Sequence, residues 1–191
     1  MHAAGQVIAF DLAWRHGADD LLRALNANLP APVAARTLAE APADFHPRFW
    51  ARSRRYRYTI YNSPIRAPLL ARFAWHVPSP PLSLTALDAA SARLVGRKDF
   101  ATFGTPPDDA GHTVRTVSEA AWRRAGTIWT FDIEADAFLF RMVRSIVGTL
   151  RSVGAGEMTP AEFGEVVDVA DRRRCGPAAP AQGLCLMEVT Y

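Results

Sequence analysis

The sequence predicts an α+β fold with a largely antiparallel sheet flanked by helices. Segments of period-two patterning, such as residues 53–61 and 127–135, interleave with segments of helical periodicity, such as 138–151. The links between them are short and marked by proline and glycine, which favours this class. The composition is that of a globular chain: of 191 residues, 49% are hydrophobic and 21% charged, which excludes disorder and collagen-like repeats. That length suits one domain, or slightly more, with a core that needs no staples.

The elements follow in order. Residues 5–12, GQVIAFDL, alternate and are rich in β-formers, so they read as a strand. Leu21, Leu22 and Leu25 give residues 17–28 a helical face that ends before Pro30. Val33 to Glu40 reads as a short strand, and Ala41-Pro42-Ala43-Asp44 as a break between domains. Residues 53–61, SRRYRYTIY, have strong β character. Ser83 caps a helix expected to run to Val95 and stop at Gly96. Residues 104–111 read as a loop. In the strand at 127–135, Trp129, Phe131 and Ile133 share a face. Leu139, Met142, Val143, Ile146, Val147 and Leu150 mark a helix over 138–151. Thr159, Pro160 and Glu162 form a capping-box start for a last helix to about Ala170. An irregular stretch at 172–183 leads to a closing strand from Leu184 to Tyr191.

No stretch approaches the roughly 20 apolar residues that cross a bilayer. No basic start precedes an apolar signal region, so a cytoplasmic protein without a membrane role is expected. Cys175 and Cys185 fit no zinc spacing and read as ordinary core or loop cysteines. Neither a G-x-G-x-x-G nor a G-x-x-x-x-G-K-[ST] phosphate loop occurs. The net charge of +3 leaves nucleic acid open as a partner, and Lys98 is the sole lysine among 22 basic residues.

Where the arginines cluster says more. Arg48 to Arg57 contains five arginines and no acid. On a strand, Arg54, Tyr56, Tyr58 and Ile60 share one face, and Arg55, Arg57 and Thr59 the other. Arginine beside tyrosine suits single-stranded or flipped nucleotides, with guanidinium on phosphate and ring on base. It equally suits a tyrosine-lined core with a solvated arginine face. Arg141, Arg144, Ser145, Gly148 and Arg151 lie opposite the apolar stripe of the 138–151 helix. That pattern reads as a solvated face, a phosphate site or the seat of a buried ion pair. Asp132, Glu134 and Asp136 alternate with Trp129, Phe131 and Ile133 and read as the wet side of that strand, with metal binding as the rival reading. The five histidines show no ligand spacing.

Six motifs occur together in one order. They are His2-Ala3-Ala4-Gly5-Gln6-Val7; Leu25-Asn26-Ala27-Asn28-Leu29-Pro30; and Phe45-His46-x-Arg48-Phe49-x-Ala51-x-x-Arg54-x-Tyr56-x-Tyr58-x-Ile60-Tyr61-Asn62. Gly96 with Asp99-Phe100-x-x-Phe103 and Thr113-Val114-Arg115-Thr116-Val117 comes next. Phe138-Leu139 with Met142-Val143-Arg144-x-Ile146-Val147-Gly148, and then Pro180-Ala181-x-Gly183-Leu184-x-Leu186, close the series. Together they resemble the TruA family of tRNA pseudouridine synthases along the whole chain. Pro47 and Trp50 replace the small residues usual in that family. The family's R-T-D-x-G segment, with its catalytic aspartate, would fall ahead of Met1.

The resemblance implies a pseudouridine synthase fold of two similar halves. Residues 1–44 would be a remnant of the truncated first half-domain, and 45–191 the complete second one. It implies a homodimeric enzyme acting on the anticodon stem-loop of tRNA at positions 38–40, without metal or cofactor. The uridine's N-glycosidic bond is cleaved, the uracil rotates and is rejoined through carbon. Tyr56 matches the tyrosine that stacks on the uracil and helps handle its proton. Arg144 matches the arginine that pairs with the aspartate, and Leu184 the apolar wall of the uracil pocket. His2, Arg54, Arg55 and Arg57 are expected near the RNA. The nucleophilic aspartate lies outside these residues, so the chain is expected to be inactive alone. The alternative is a non-catalytic RNA-binding module derived from that family.

Overall fold

In a computed structural model, described for residues 1–106 and 111–191, the chain forms two compact units. The larger comprises Met1–Gln6 and Ala51–Tyr191, and the smaller Val7–Trp50. The expected loop at 104–111 falls partly outside the described residues.

The smaller unit holds one helix, α1 (Ala18–Asn28), with Asp19 and Asp20 in its first turn, where the helix dipole favours negative charge. No residue between Val7 and Trp50 is buried. The strands expected at 5–12 and 33–40 do not form. Ladder register near the N-terminus covers only His2–Ala3, with Ala4 N and Gly5 N still donating to Leu186 O, and Ile8 and Leu12 stand 73% and 55% exposed. An alternating pattern makes a strand only with a ladder partner and a face to bury. At Ala35 the backbone is held instead by the Asn26 amide, which accepts from Ala35 N at 2.8 Å and donates to Ala35 O at 2.9 Å.

The larger unit is an α+β fold around a seven-stranded sheet. Its elements are β1 (His2–Ala3), β2 (Ser53–Asn62), β3 (Trp75–Val77), α2 (Leu84–Ser91), β4 (Gly96–Asp99), β5 (Val114–Ala125), β6 (Ile128–Ala135), α3 (Met142–Gly154), α4 (Pro160–Asp168) and β7 (Leu184–Thr190). The strand order is β1-β7-β2-β6-β5-β4, with β3 beside β2. Pairing is antiparallel except for β1 with β7 and β3 with β2.

Registration makes one face of the sheet apolar. Tyr58 lies opposite Phe131 and Ile60 opposite Trp129, all four buried. These side chains join Leu87, Ile146, Leu150 and Phe163 of the three helices in one core. The helix expected at 83–95 is split into α2 and a 3₁₀ turn at Ala92–Leu94. The last helix ends at Asp168, short of Ala170, and its capping box forms as expected. The irregular stretch at 172–183 contains 3₁₀ turns at Arg172–Arg174 and Ala181–Gly183.

Two expectations about α3 change. Its first turn starts at Met142, because Phe140 N is committed to Thr105 O (2.9 Å) and Arg141 takes a left-handed conformation (φ 64°). The face opposite its apolar stripe is covered: Ser145 and Gly148 are buried beneath the chain at 175–179. A Cβ on Gly148 would collide with the Pro177 carbonyl, and Ala179 N donates to Arg144 O at 2.9 Å.

Gly148→Ala therefore tests that cover. Alanine is better than glycine inside a helix by about 1 kcal/mol. Overpacking against fixed backbone costs about 1–3 kcal/mol, so net destabilisation is expected in a urea melt. A gain in stability would mean that the segment does not sit on α3.

Candidate active site

The open face of the sheet carries the arginines that lie out of phase with Tyr56. Arg57 Nε and Nη2 donate to the two oxygens of Asp132 at 2.7 and 3.0 Å, and Arg123 Nη1 reaches Asp132 Oδ2 at 3.0 Å. Arg55 donates to Glu134 at 2.7 and 3.0 Å and lies 3.5 Å from Glu119. This revises the wet-side reading: Asp132 is only 2% exposed, shielded beneath two guanidinium groups. Asp136 Oδ1 accepts from Thr116 N of β5 at 3.0 Å and from Ala137 N at 2.6 Å, just past the end of β6. The three acids thus serve separate partners. Among the described residues, no group of three or more His, Cys, Asp or Glu side chains is arranged to hold a metal ion.

Glu134 also makes stability depend on pH. Hydrogen bonds from Ser53, then from Arg55, hold its carboxyl below the ordinary carboxylate range. A depressed folded value stabilises the protein above the unfolded pKa, and the contribution is lost as pH falls through the folded value. Glu134→Gln should cost about 0.5–1 kcal/mol at pH 7, the scale of a partly exposed ion pair. The gap between variant and native melting curves should start to narrow below the unfolded carboxylate value of about 4.3 and close once pH passes below the depressed folded value. A gap that does not narrow with acidification would assign the loss to packing.

The helix-covered face carries the site. A cavity of about 710 Å³ is lined by Tyr56 of β2, Leu184 of β7, Arg144 of α3 and Phe138, among others. Tyr56 reaches it because it lies in phase with buried Tyr58 but one pleat nearer the open end of β2. Its ring meets Phe138 edge-on at 4.9 Å. Burial pushes its hydroxyl above the ordinary tyrosine value, against the pull of the Arg54 charge.

Arg144 is half-buried and tethered through one nitrogen, with Nε donating to Ala179 O at 2.6 Å. Among the described residues no carboxylate pairs with its guanidinium. Tyr58 Oη donates to Pro180 O at 2.7 Å, so Tyr58 and Arg144 together fix the approach to Leu184, which is 5% exposed. The result is an apolar, aromatic slot with two guanidinium-bearing side chains, Arg144 and Arg141, in its lining. Such a slot accepts a flat base and keeps a neighbouring carboxylate ionised.

The structure thus gathers Tyr56, Arg144 and Leu184 at one cavity. Arg54 shares the strand face of Tyr56 and donates to Asp136 O at 3.2 Å. Arg55 and Arg57 occupy the opposite face. His2 Nε2 donates to Arg72 O at 2.7 Å and its ring packs on Phe73, while Met1 lines the cavity. Arg141, one of the helix-face arginines, also lines it, as do Phe138 and Thr105, which carried no site reading. Phe138 stood within a motif, but nothing in the local pattern marks Thr105.

Known proteins match this sequence. Residues 90–191 match the sequence profile described as tRNA pseudouridine synthase. Over its whole length the chain is 39% identical to tRNA pseudouridine synthase A of Moorella thermoacetica, covering 77% of that protein. The corresponding enzymes of Syntrophotalea carbinolica and Myxococcus xanthus are 42% and 40% identical, with 75% and 72% of their lengths covered. The chain belongs to the TruA family of tRNA pseudouridine synthases, which are isomerases. Among the described residues no helix is long and apolar enough to cross a membrane.

Proposed function

We propose that the cavity between Tyr56, Leu184 and Arg144 is the uracil pocket of an enzyme acting on uridines at positions 38–40 of the tRNA anticodon stem-loop. Its support is the convergence of those three side chains, drawn from three separate motifs, on one slot. In the proposed reaction the C1′–N1 bond of uridine breaks, the uracil turns, and a C1′–C5 bond forms. The C5 proton is lost and N1 gains one. Tyr56 stacks on the base, which repays part of the cost of taking it from its stack, and its hydroxyl assists proton transfer. Leu184 forms the apolar wall. Arg144 pairs with the nucleophilic aspartate and holds it ionised. No metal or cofactor enters this scheme.

Arg54 and His2 are assigned to the RNA, as are Arg55 and Arg57 through the donors that Glu134 and Asp132 leave over. The working enzyme is proposed to be a cytoplasmic homodimer. Residues 1–44 would derive from the first half-domain and 45–191 form the second. The grouping of Val7–Trp50 as a separate unit supports a boundary near residues 44–50, while Met1–Gln6 joins the larger unit.

No carboxylate is among the described residues lining the pocket. The 191 residues by themselves are therefore proposed not to form pseudouridine. The same observation favours a second reading, an RNA-binding module without turnover. An assay on unmodified anticodon stem-loop RNA separates the two. The chain extended by the rest of its first half-domain, R-T-D-x-G included, should convert uridine, whereas a binding module would remain inactive.

A further inference from the structure

Phe140 stands apart from the other aromatic side chains around the pocket. Its neighbours in sequence, Leu139 and Met142, are 4% and 0% exposed, yet Phe140 is 64% exposed. It lines the same cavity as Tyr56 and Leu184. Its backbone is fixed, because its N–H donates to Thr105 O at 2.9 Å in an isolated antiparallel bridge. Arg141 follows in the left-handed region (φ 64°), which a residue with a side chain rarely adopts. From there its guanidinium lies over the Phe140 ring, 5.2 Å from the centroid. An aromatic ring held out from a buried segment, backed by a cation on one face, has the form of a stacking platform.

We infer that Phe140, plated by Arg141, is a second base platform, which holds the nucleotide next to the target uridine while Tyr56 holds the target. The inference rests on the uracil-pocket reading. The chemistry calls for such a platform: extruding one base exposes the faces of its neighbours, and a ring at the pocket rim replaces the lost stacking. Tyr56 is half-buried in the cavity, whereas Phe140 lines it from an exposed rim, open to a base outside. Arg141 adds a positive charge beside it for the adjoining phosphate.

The test is titration of a labelled 17-nucleotide anticodon stem-loop with the 191-residue chain and with Phe140→Ala, Phe140→Leu and Phe140→Tyr. A blunt RNA duplex of equal charge serves as the control. Stacking of one base predicts affinity about 5- to 150-fold weaker for Phe140→Ala. Phe140→Leu should lose as much, Phe140→Tyr should bind like the native chain, and melting temperatures should stay the same because the side chain is exposed. If the native chain prefers the stem-loop and Phe140→Ala binds within twofold of it, the platform is wrong and the pocket reading stands. Native-like binding by Phe140→Leu would also overturn the platform. If the native chain fails to distinguish stem-loop from duplex, the pocket reading fails and the platform falls with it.

Discussion

Arg144→Ala should lower pseudouridine formation by about 10²–10⁴-fold in a chain carrying the R-T-D-x-G segment, and leave tRNA affinity nearly unchanged. Removing one partner of a buried charge pair costs about 3–5 kcal/mol, because the other charge stays behind uncompensated. That partner is proposed to be the nucleophile, so the loss falls on the chemical step. Arg144 also donates to Ala179 O, and losing this bond should cost about 0.5–1.5 kcal/mol of stability. A melting curve run beside the kinetics separates the two effects. Arg57→Ala provides the contrast: it should weaken binding and flatten the salt dependence by about one unit for a lost phosphate contact. It should also destabilise the fold, since Asp132 would keep only Arg123. Equal binding losses at 144 and 57 would make Arg144 another phosphate contact.

Tyr56→Ala should weaken anticodon stem-loop binding by about 1–3 kcal/mol, the value of one base stacked on an aromatic ring. Turnover should fall much further, because ring and hydroxyl are both assigned to the reaction. Tyr56→Phe divides the roles: the stack survives, so affinity should hold while turnover drops. Burial keeps the hydroxyl protonated beyond its usual range. Ionisation of Tyr56 should therefore put no alkaline limb on the rate below about pH 10. Near-normal turnover by Tyr56→Ala would remove this residue from the mechanism.

What the sequence made legible was local or carried by motif. The Thr159–Glu162 capping box, the strand at 53–61 and the apolar stripe of α3 all follow from residues within a few positions of one another. Tyr56, Arg144 and Leu184 came from the resemblance, since spacing alone left the arginine strand and the arginine helix face open. Periodicity failed where distant chain intervenes. Ser145 and Gly148 look solvent-facing on a helical wheel, yet residues 175–179 return to cover them. Asp132 looks wet on an alternating strand, but two arginines from neighbouring strands shut it in. The strand at 5–12 had the right pattern, but ladder pairing with β7 covers only His2–Ala3. Conversely β5, the longest strand, has only Val117 and Trp122 fully buried among its apolar residues, too sparse an alternation to read.

The most direct measurement is tritium release from an anticodon stem-loop labelled at C5 of its uridines, because joining C5 to the sugar must expel that hydrogen. With the native 191-residue chain, release should stay at background. With the same chain extended by the rest of its first half-domain, R-T-D-x-G included, it should proceed to a stoichiometric end point and slow by about 10²–10⁴-fold on Arg144→Ala. Release by the 191 residues alone, or none from the extended chain when it is folded and bound to RNA, would contradict the assignment of this cavity as a uracil pocket completed by an aspartate.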